Sequence, residues 1–275
     1  MKITFWGTRG SVAVSGRKYS KYGGNTTCVE VLLSDGKIVI IDAGTGIREL
    51  GNKMIKEKAC FPHMFITHSH WDHIQGFPFF KQIYDKKTHI KIYAPHSTNK
   101  SLEQAFNVLM QEGYHSVPFS NLSSKIEFLN TGLEPLKIGN AKIETIMTNH
   151  PGACYSIKIT EKKKTFAFMT DNELFPAHPK TSFKDFVEFA SGADLLVHDC
   201  MYFHKEMKIK RGWGHSCDTE VARLAIEAGV KSLGLFHHDP ERSDSEIDKM
   251  VISCKKKVPK SIRVFAVKEN LSIKL

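Results

Sequence analysis

The sequence predicts an α/β fold of layered, mixed β-sheets with helices outside. Three observations carry this reading. Short runs of apolar alternation recur along all 275 residues and are interleaved with stretches of helical periodicity, so strands and helices are mixed along the chain. Hairpin-like strand pairs sit in the middle of each half, which a purely parallel doubly wound sheet would not contain. No Pro/Gly/Ser-rich linker, repeat or low-complexity segment divides the chain, so a single domain over 1–275 is expected.

In chain order, strands are expected at about 2–6, 26–33, 37–42, 63–67, 89–93 and 124–129. Further strands follow near 135–138, 141–148, 153–160, 164–169, 194–198, 232–236 and 262–267. Helical patterns fall near 45–58, 99–112, 182–190, 218–229 and 243–256. The last opens with Ser243-Asp244-Ser245-Glu246, in which Ser243 and Glu246 can satisfy each other's backbone donors as a capping box. Glu161-Lys162-Lys163-Lys164 joins two apolar runs and reads as a solvated hairpin turn. The segment from about 95 to 125 holds an apolar-periodic helix and then Gly113-Tyr114-His115-Ser116-Val117-Pro118-Phe119. It reads as an insert able to cap a site, with Tyr114 and His115 as candidate substrate contacts and Phe119 more at home in the core.

Composition excludes several classes. Apolar residues make up 41% and charged residues 25%, an ordinary globular balance that disfavours disorder. No apolar run approaches the ~20 residues that cross a bilayer, so no membrane partner is expected. The opening Met1-Lys2-Ile3-Thr4-Phe5-Trp6-Gly7 enters a strand pattern directly, without a secretory h-region. Six widely spaced cysteines (Cys28, Cys60, Cys154, Cys200, Cys217, Cys254) form no CxxC pair and read as reduced thiols in a cytoplasmic protein. A net charge of +10 suggests an anionic partner without choosing one. The 14 histidines are more pointed.

The decisive segment is Phe65-Ile66-Thr67-His68-Ser69-His70-Trp71-Asp72-His73, an apolar strand followed at once by four potential ligands. His68 and His70, two apart in extended chain, point the same way and can share one ion. Asp72 and His73, where the chain turns into a helix, can address a second. Imidazole with carboxylate suits Zn²⁺, and Mn²⁺ or Fe²⁺ fit the same donors.

This His-x-His-x-Asp-His pattern resembles the signature of the metallo-β-lactamase-fold hydrolases, and the resemblance extends over essentially the whole chain. Ile40-Ile41-Asp42-Ala43-Gly44 resembles the family's first motif, whose aspartate braces the metal loop. Thr148-Asn149-His150-Pro151-Gly152 resembles the segment of the third histidine, Met169-Thr170-Asp171-Asn172 that of the bridging carboxylate, and Leu235-Phe236-His237-His238-Asp239 that of the last histidine. The resemblance implies an αββα sandwich, two mixed sheets flanked by helices, holding two divalent metal ions. His68, His70, His150 and Asp171 would bind the first, and Asp72, His73, His237 and Asp171 the second, with His238 a competitor for His237. The true β-lactamases carry cysteine where Asp171 stands, and the flavodiiron proteins carry glutamate where His70 stands, so both chemistries are disfavoured.

Two further segments point to phosphodiesters. Asp194-Leu195-Leu196-Val197-His198-Asp199-Cys200 resembles the His-Glu-Ala-Thr motif of ribonuclease Z, with Asp199 for glutamate. Gly212-Trp213-Gly214-His215-Ser216 resembles that group's catalytic-histidine segment. A carboxylate such as Asp199 that orients His215 and favours its protonated form gives an acid for a departing alkoxide. Gly7-Thr8-Arg9-Gly10-Ser11 resembles the opening of the same branch, and Arg9 is expected to pair with a phosphate. Together these imply a phosphodiesterase in which metal hydroxide attacks phosphorus, with Asp72, Asp199 and His215 as its catalytic side chains. Ribonuclease Z homologues insert a long arm between the third histidine and the bridging aspartate, and here only a short hairpin separates His150 from Asp171. With lysine runs that lack interleaved aromatics, this disfavours nucleic acid and favours a small anionic phosphodiester, with a 3′,5′-cyclic nucleotide as the expected substrate. A phosphoribosyl cyclic phosphate or an RNA end is the nearest alternative, a lactone or thioester the next. The resemblance also implies a homodimer.

Overall fold

In the computed structural model, residues 1–59, 61–95, 99–131 and 134–275 are described. The first seven strand segments in the first half and its close are β1 (Lys2–Gly7), β2 (Cys28–Leu32), β3 (Ile38–Ile41), β4 (His63–Phe65), β5 (His89–Pro95), β6 (Lys125–Thr131) and β7 (Leu136–Ile138). Then follow β8 (Ala141–Met147), β9 (Tyr155–Glu161), β10 (Lys164–Met169), β11 (Leu195–Asp199), β12 (Ser232–Phe236), β13 (Arg263–Ala266) and β14 (Ser272–Lys274). The helices are α1 (Ile47–Glu57), α2 (Trp71–Ile74), α3 (Asn99–Leu109), α4 (Phe183–Ala190), α5 (Met207–Lys210), α6 (Asp218–Glu227) and α7 (Asp244–Lys255).

Two seven-stranded sheets form, in the orders β14-β1-β2-β3-β4-β5-β6 and β13-β12-β11-β10-β9-β8-β7. Both are mixed. In the first, β1, β2 and β3 pair antiparallel and β3 to β6 parallel. In the second, β7 to β10 pair antiparallel and β10 to β13 parallel. The expected αββα sandwich is the observed architecture. The expected strands all appear, and β14, which was not expected, closes the first sheet by pairing with β1 at Ile3↔Ile273.

The layering follows from the two-residue period of a strand. In β3, Val39 and Ile41 point between the sheets and join Phe65, Ile157, Phe166, Phe168 and Phe236. Ile38 and Ile40 point the other way, to Leu50 and Met54 of α1 and to Phe106 of α3. Outside the second sheet, Leu196, Leu233 and Leu235 pack on Phe186 of α4, Leu224 of α6 and Met250 of α7. A strand buried on both faces reads as a continuous apolar run, and Ile38-Val39-Ile40-Ile41 is one. Ser243 caps α7 as expected, its N–H donating to Glu246 Oε2 at 2.9 Å. The β9–β10 hairpin turns through Lys162-Lys163, with Lys162 at a φ of 56°. Among the described residues no helix is long and apolar enough to cross a membrane.

Candidate metal centre

The parallel strands of both sheets end at one edge, and the loops that leave them meet there. Asp42 follows β3, the His68–His73 segment follows β4, and His150 follows β8. Asp171 follows β10, Asp199 ends β11, and His237 follows β12. Asp42, Asp171 and His237 each leave their strand in the left-handed region, at φ of 62°, 53° and 53°. That conformation is uncommon for residues with a Cβ, and it redirects each side chain from the strand axis into the cluster.

Among the described residues, four groups of side chains lie with their ligand atoms within 4.8 Å of one another: His68, His70 and His150; His68, His73 and Asp171; Asp72, His73 and His237; and His150, Asp171 and His215. Asp171 thus stands between the two sets, its Oδ1 3.8 Å from both His68 Nε2 and His150 Nε2, its Oδ2 3.2 Å from His73 Nε2 and 3.4 Å from His237 Nε2. Asp72 Oδ2 lies 3.1 Å from His237 Nε2. His238 points away, with Nε2 against the Val267 carbonyl at 2.8 Å, so of the histidine pair it is His237 that faces the cluster.

These residues suit a cation. His68 Nε2 and His73 Nε2 are buried and have no hydrogen-bond partner, although carboxylate oxygens surround the second. Buried polar atoms of that kind are rare unless something else satisfies them. Burial holds His68 well below its ordinary pKa and His150 down to about 4, so both present neutral, lone-pair-bearing rings. Burial would raise Asp72 and Asp171, but the surrounding histidines hold both well below the usual carboxylate range. Neutral imidazoles at His68 and His150 beside ionised carboxylates are donors for divalent metals. At His73 burial is outweighed by Asp72, Asp171 and Asp42, which hold its pKa well above the ordinary value, so a metal there would replace a proton.

Further interactions fix how each ring points. Asp42 is fully buried; its Oδ1 accepts the Thr67 N–H at 2.8 Å, and its Oδ2 meets His73 Nδ1 at 2.8 Å, leaving Nε2 for the cluster. His150 Nδ1 meets the Gly214 carbonyl at 3.0 Å. Gly214, at φ 84°, could carry no Cβ there without meeting His150 Nδ1 at 2.3 Å. Gly10 plays the same part for His237, since a Cβ would lie 2.4 Å from its ring. Ser11 N–H donates to Asp72 Oδ2 at 2.7 Å.

The expected dyad lies beside the cluster. His215 Nδ1 is 3.1 Å from Asp199 Oδ2, and its ring stacks on His237 with centroids 5.1 Å apart. Burial would lower the His215 pKa, but the hydrogen bond and charge of Asp199 carry it above the ordinary value.

Two expected substrate contacts are corrected. Arg9 is fully buried and turned away from the cluster. Its Nε donates to Gly23 O at 2.8 Å and its Nη1 to Asp239 O at 3.1 Å and Arg242 O at 2.8 Å, so it fastens loops together and has no face for a phosphate. A residue type after a strand does not reveal which side of the loop it takes. His115 is bent back on its own turn, its Nδ1 accepting the Val117 N–H at 3.2 Å and its ring edge-on to Phe79. Tyr114 is 76% exposed and does border the groove beside Trp71. Phe119 packs with Phe77, Phe106 and Phe128, as expected for core.

Sequence reasoning missed Glu173. Its buried carboxylate accepts N–H groups of Gly212 at 2.9 Å and Gly214 at 3.0 Å, and Arg211 Nη1 lies 3.4 Å away. It therefore holds the loop that carries both His215 and the carbonyl against His150. An acid in a loop has no periodicity to betray it.

Two mixed sheets with a histidine–carboxylate cluster at their common edge define a metal-dependent hydrolase. The chain belongs to the family described as the beta-lactamase superfamily domain, whose model matches residues 37–238, and it is a hydrolase of the metallo-β-lactamase fold. That fold implies divalent metal binding. The chain is 25% identical to ribonuclease Z of Brevibacillus brevis over 294 residues, covering 90% of this chain and 88% of that one. Its fold matches the metallo-β-lactamase fold protein YhfI of Bacillus subtilis, with a TM-score of 0.72 at 20% identity over 99% of this chain and 98% of that one. It also matches the short form of human tRNase Z, with a TM-score of 0.70 at 17% identity over 100% and 99%.

Proposed function

We propose that this chain is a dinuclear-metal phosphodiesterase acting through one domain, with a small cyclic phosphodiester, a 3′,5′-cyclic nucleotide above all, as its substrate. The observation that carries the reading is the Asp199–His215 pair. An imidazole held by a buried carboxylate 3.1 Å away, and stacked on the ligand-set residue His237, is a proton donor aimed at the cluster. Lactone or thioester hydrolysis has less need of it.

His68, His70 and His150 would hold one cation, Asp72, His73 and His237 the other, and Asp171 would face both. When bound, two such cations, with Zn²⁺ our choice, neutralise charge at phosphorus and supply a water of lowered pKa. His215 donates to the departing ribose oxygen, and Asp199 holds its Nδ1 so that the proton leaves from Nε2. Asp42 and the Gly214 carbonyl keep the ligating nitrogens of His73 and His150 directed inward.

The short β9–β10 hairpin between His150 and Asp171 favours a small substrate. An RNA substrate is the second reading. It is supported by kinship with ribonuclease Z and by Lys210, whose Nζ lies 3.8 Å from the Trp213 ring centre on the loop before His215. Metal analysis followed by turnover of a 3′,5′-cyclic nucleotide, a 2′,3′-cyclic nucleotide, a phosphoribosyl cyclic phosphate, a precursor tRNA and a lactone tests all of these. Cleavage of the first alone is expected. Cleavage of the tRNA in its place selects the second reading, and efficient lactone hydrolysis without phosphodiester cleavage overturns the class.

A further inference from the structure

A groove of about 600 Å³ opens beside the metal loop. One wall is Trp71 and Ile74 of α2, and the other is Gln104, Val108 and Leu109 of α3, with Tyr114 at one end. Trp71 stands between His70 and Asp72 in sequence and is 73% exposed, so whatever covers it lies next to the cluster. Leu102 and Phe106 of α3, with Met110 just after its end, are buried and anchor the helix to the core. Gln104 with Val108 and Ala105 with Leu109, each pair four apart, form a second stripe facing the groove. Among the described residues, none of those lining the groove is charged.

We infer that this groove binds the base of the nucleotide substrate, by stacking on Trp71 and Tyr114. The inference rests on the phosphodiesterase reading and names the part of the substrate that the cluster does not hold. Charge is divided between the two places: the cluster takes the anionic phosphate, and the uncharged groove takes a neutral group joined to it. Two aromatic faces over an aliphatic wall favour a planar ring system, which stacks on a side chain whatever its sequence. The Gln104 amide offers both a donor and an acceptor, which matches the polar edge of a base and has no use against an alkyl chain.

The test compares three phosphate monoesters by calorimetry on the metal-loaded protein: adenosine 5′-phosphate, ribose 5-phosphate and octyl phosphate. Their shared phosphate cancels in the ratios. Adenosine 5′-phosphate should bind about 10-fold or more tighter than ribose 5-phosphate, from stacking of its base. Most of that advantage should vanish in Trp71→Ala and survive in Trp71→Phe. Val108→Glu, on the other wall and clear of the metal loop, should reduce it as well, so a folding defect in one variant leaves the other informative. A ratio near one in the unaltered protein, a ratio indifferent to both walls, or an advantage for octyl phosphate in place of the nucleotide overturns the inference. Binding is read without turnover, so the two failures separate. A protein that shows the base-dependent ratio but cleaves no phosphodiester supports the groove and refutes the phosphodiesterase reading. One that cleaves phosphodiesters with a ratio unmoved by the variants refutes the groove alone.

Discussion

Glu173→Gln asks whether the loop carrying His215 is held by a single carboxylate. Glu173 is buried, and it receives the Gly212 N–H at 2.9 and 3.0 Å, the Gly214 N–H at 3.0 Å and Arg211 Nη1 at 3.4 Å. Glutamine keeps one acceptor oxygen and turns an NH₂ group towards donors that have no other partner. Hydrogen bonds to a charged group contribute about 1.5–3 kcal/mol each, and a stranded buried donor costs about 1–3 kcal/mol. Arg211 keeps Glu220 at 2.7 Å, so the loss falls on the two glycine N–H groups. We expect a loss of stability of about 2–4 kcal/mol, read as a fall in the urea midpoint of the metal-loaded protein. The catalytic effect should be larger than the stability effect implies. A shift of the loop displaces His215 and the Gly214 carbonyl together, and a misplacement of about 1 Å costs about 10²-fold in rate. The assay is kcat and KM on the cleaved phosphodiester, beside metal content. A variant with the original kcat and less than about 0.5 kcal/mol of lost stability would refute the role given to Glu173.

His215→Ala should lower kcat by about 10²-fold or more while metal content stays the same, whereas Asp72→Ala should lose metal as well as turnover; an unchanged rate in His215→Ala removes the acid. Asp42→Asn takes the acceptor from His73 Nδ1, so metal affinity should weaken about 10- to 100-fold in a competition titration. Arg9→Leu strands the Gly23 and Arg242 carbonyls and should cost about 3 kcal/mol in urea unfolding, with KM of the folded protein within about 3-fold of the original; a tenfold rise in KM would restore Arg9 as a substrate contact. Burial depresses the His238 pKa from 6.5 to about 3. The folded ring stays neutral where the unfolded one charges, so its contribution is complete above pH ~6.5 and is lost as pH falls from there towards 3. At about 1.4 kcal/mol per pH unit, His238→Gln should remove about 2 kcal/mol of the destabilisation between pH 7 and 5, and parallel stability curves for the two proteins would contradict this.

The fold and the ligand set were legible in the sequence to very different depths. Strands such as Ile38-Val39-Ile40-Ile41 announce themselves because both faces are buried and no polar residue interrupts the run. Strand β14 does not, since Ser272-Ile273-Lys274 is too short to carry a pattern and is a strand only because β1 is there to pair with. His68, His70, Asp72 and His73 lie so close together after a strand that a shared cation is the simplest account of them. His237 and His238 could not be separated on the chain alone. The choice is made by one left-handed residue, which sends the first ring to the cluster and leaves the second against Val267. Arg9 misled because its chemistry suits a phosphate equally well, and only the packing of residues over two hundred positions away turns it inward.

The same edge of the sandwich concentrates strain and buried nitrogens without hydrogen-bond partners, and the two belong together. Asp42, Asp171 and His237 each adopt a backbone conformation that costs of order 1–3 kcal/mol for a residue with a Cβ. Each does so just after a strand whose last four residues are buried and apolar. The strands cannot yield without opening the core between the sheets, so the turn that follows absorbs the strain. What the strain secures differs by residue. At Asp42 it brings a carboxylate under Thr67 and His73, at Asp171 it sets two oxygens towards opposite halves of the cluster, and at His237 it selects one ring of two. Relieving it by Asp171→Gly would ease the backbone but remove the carboxylate that faces both ligand sets. Buried imidazole nitrogens without partners, at His68 and His73, destabilise the metal-free chain. Filling each cation position should therefore stabilise this protein by about 2.7 kcal/mol at one hundred times that position's Kd, read as a rise in the urea midpoint, and no rise on metal addition would contradict the site.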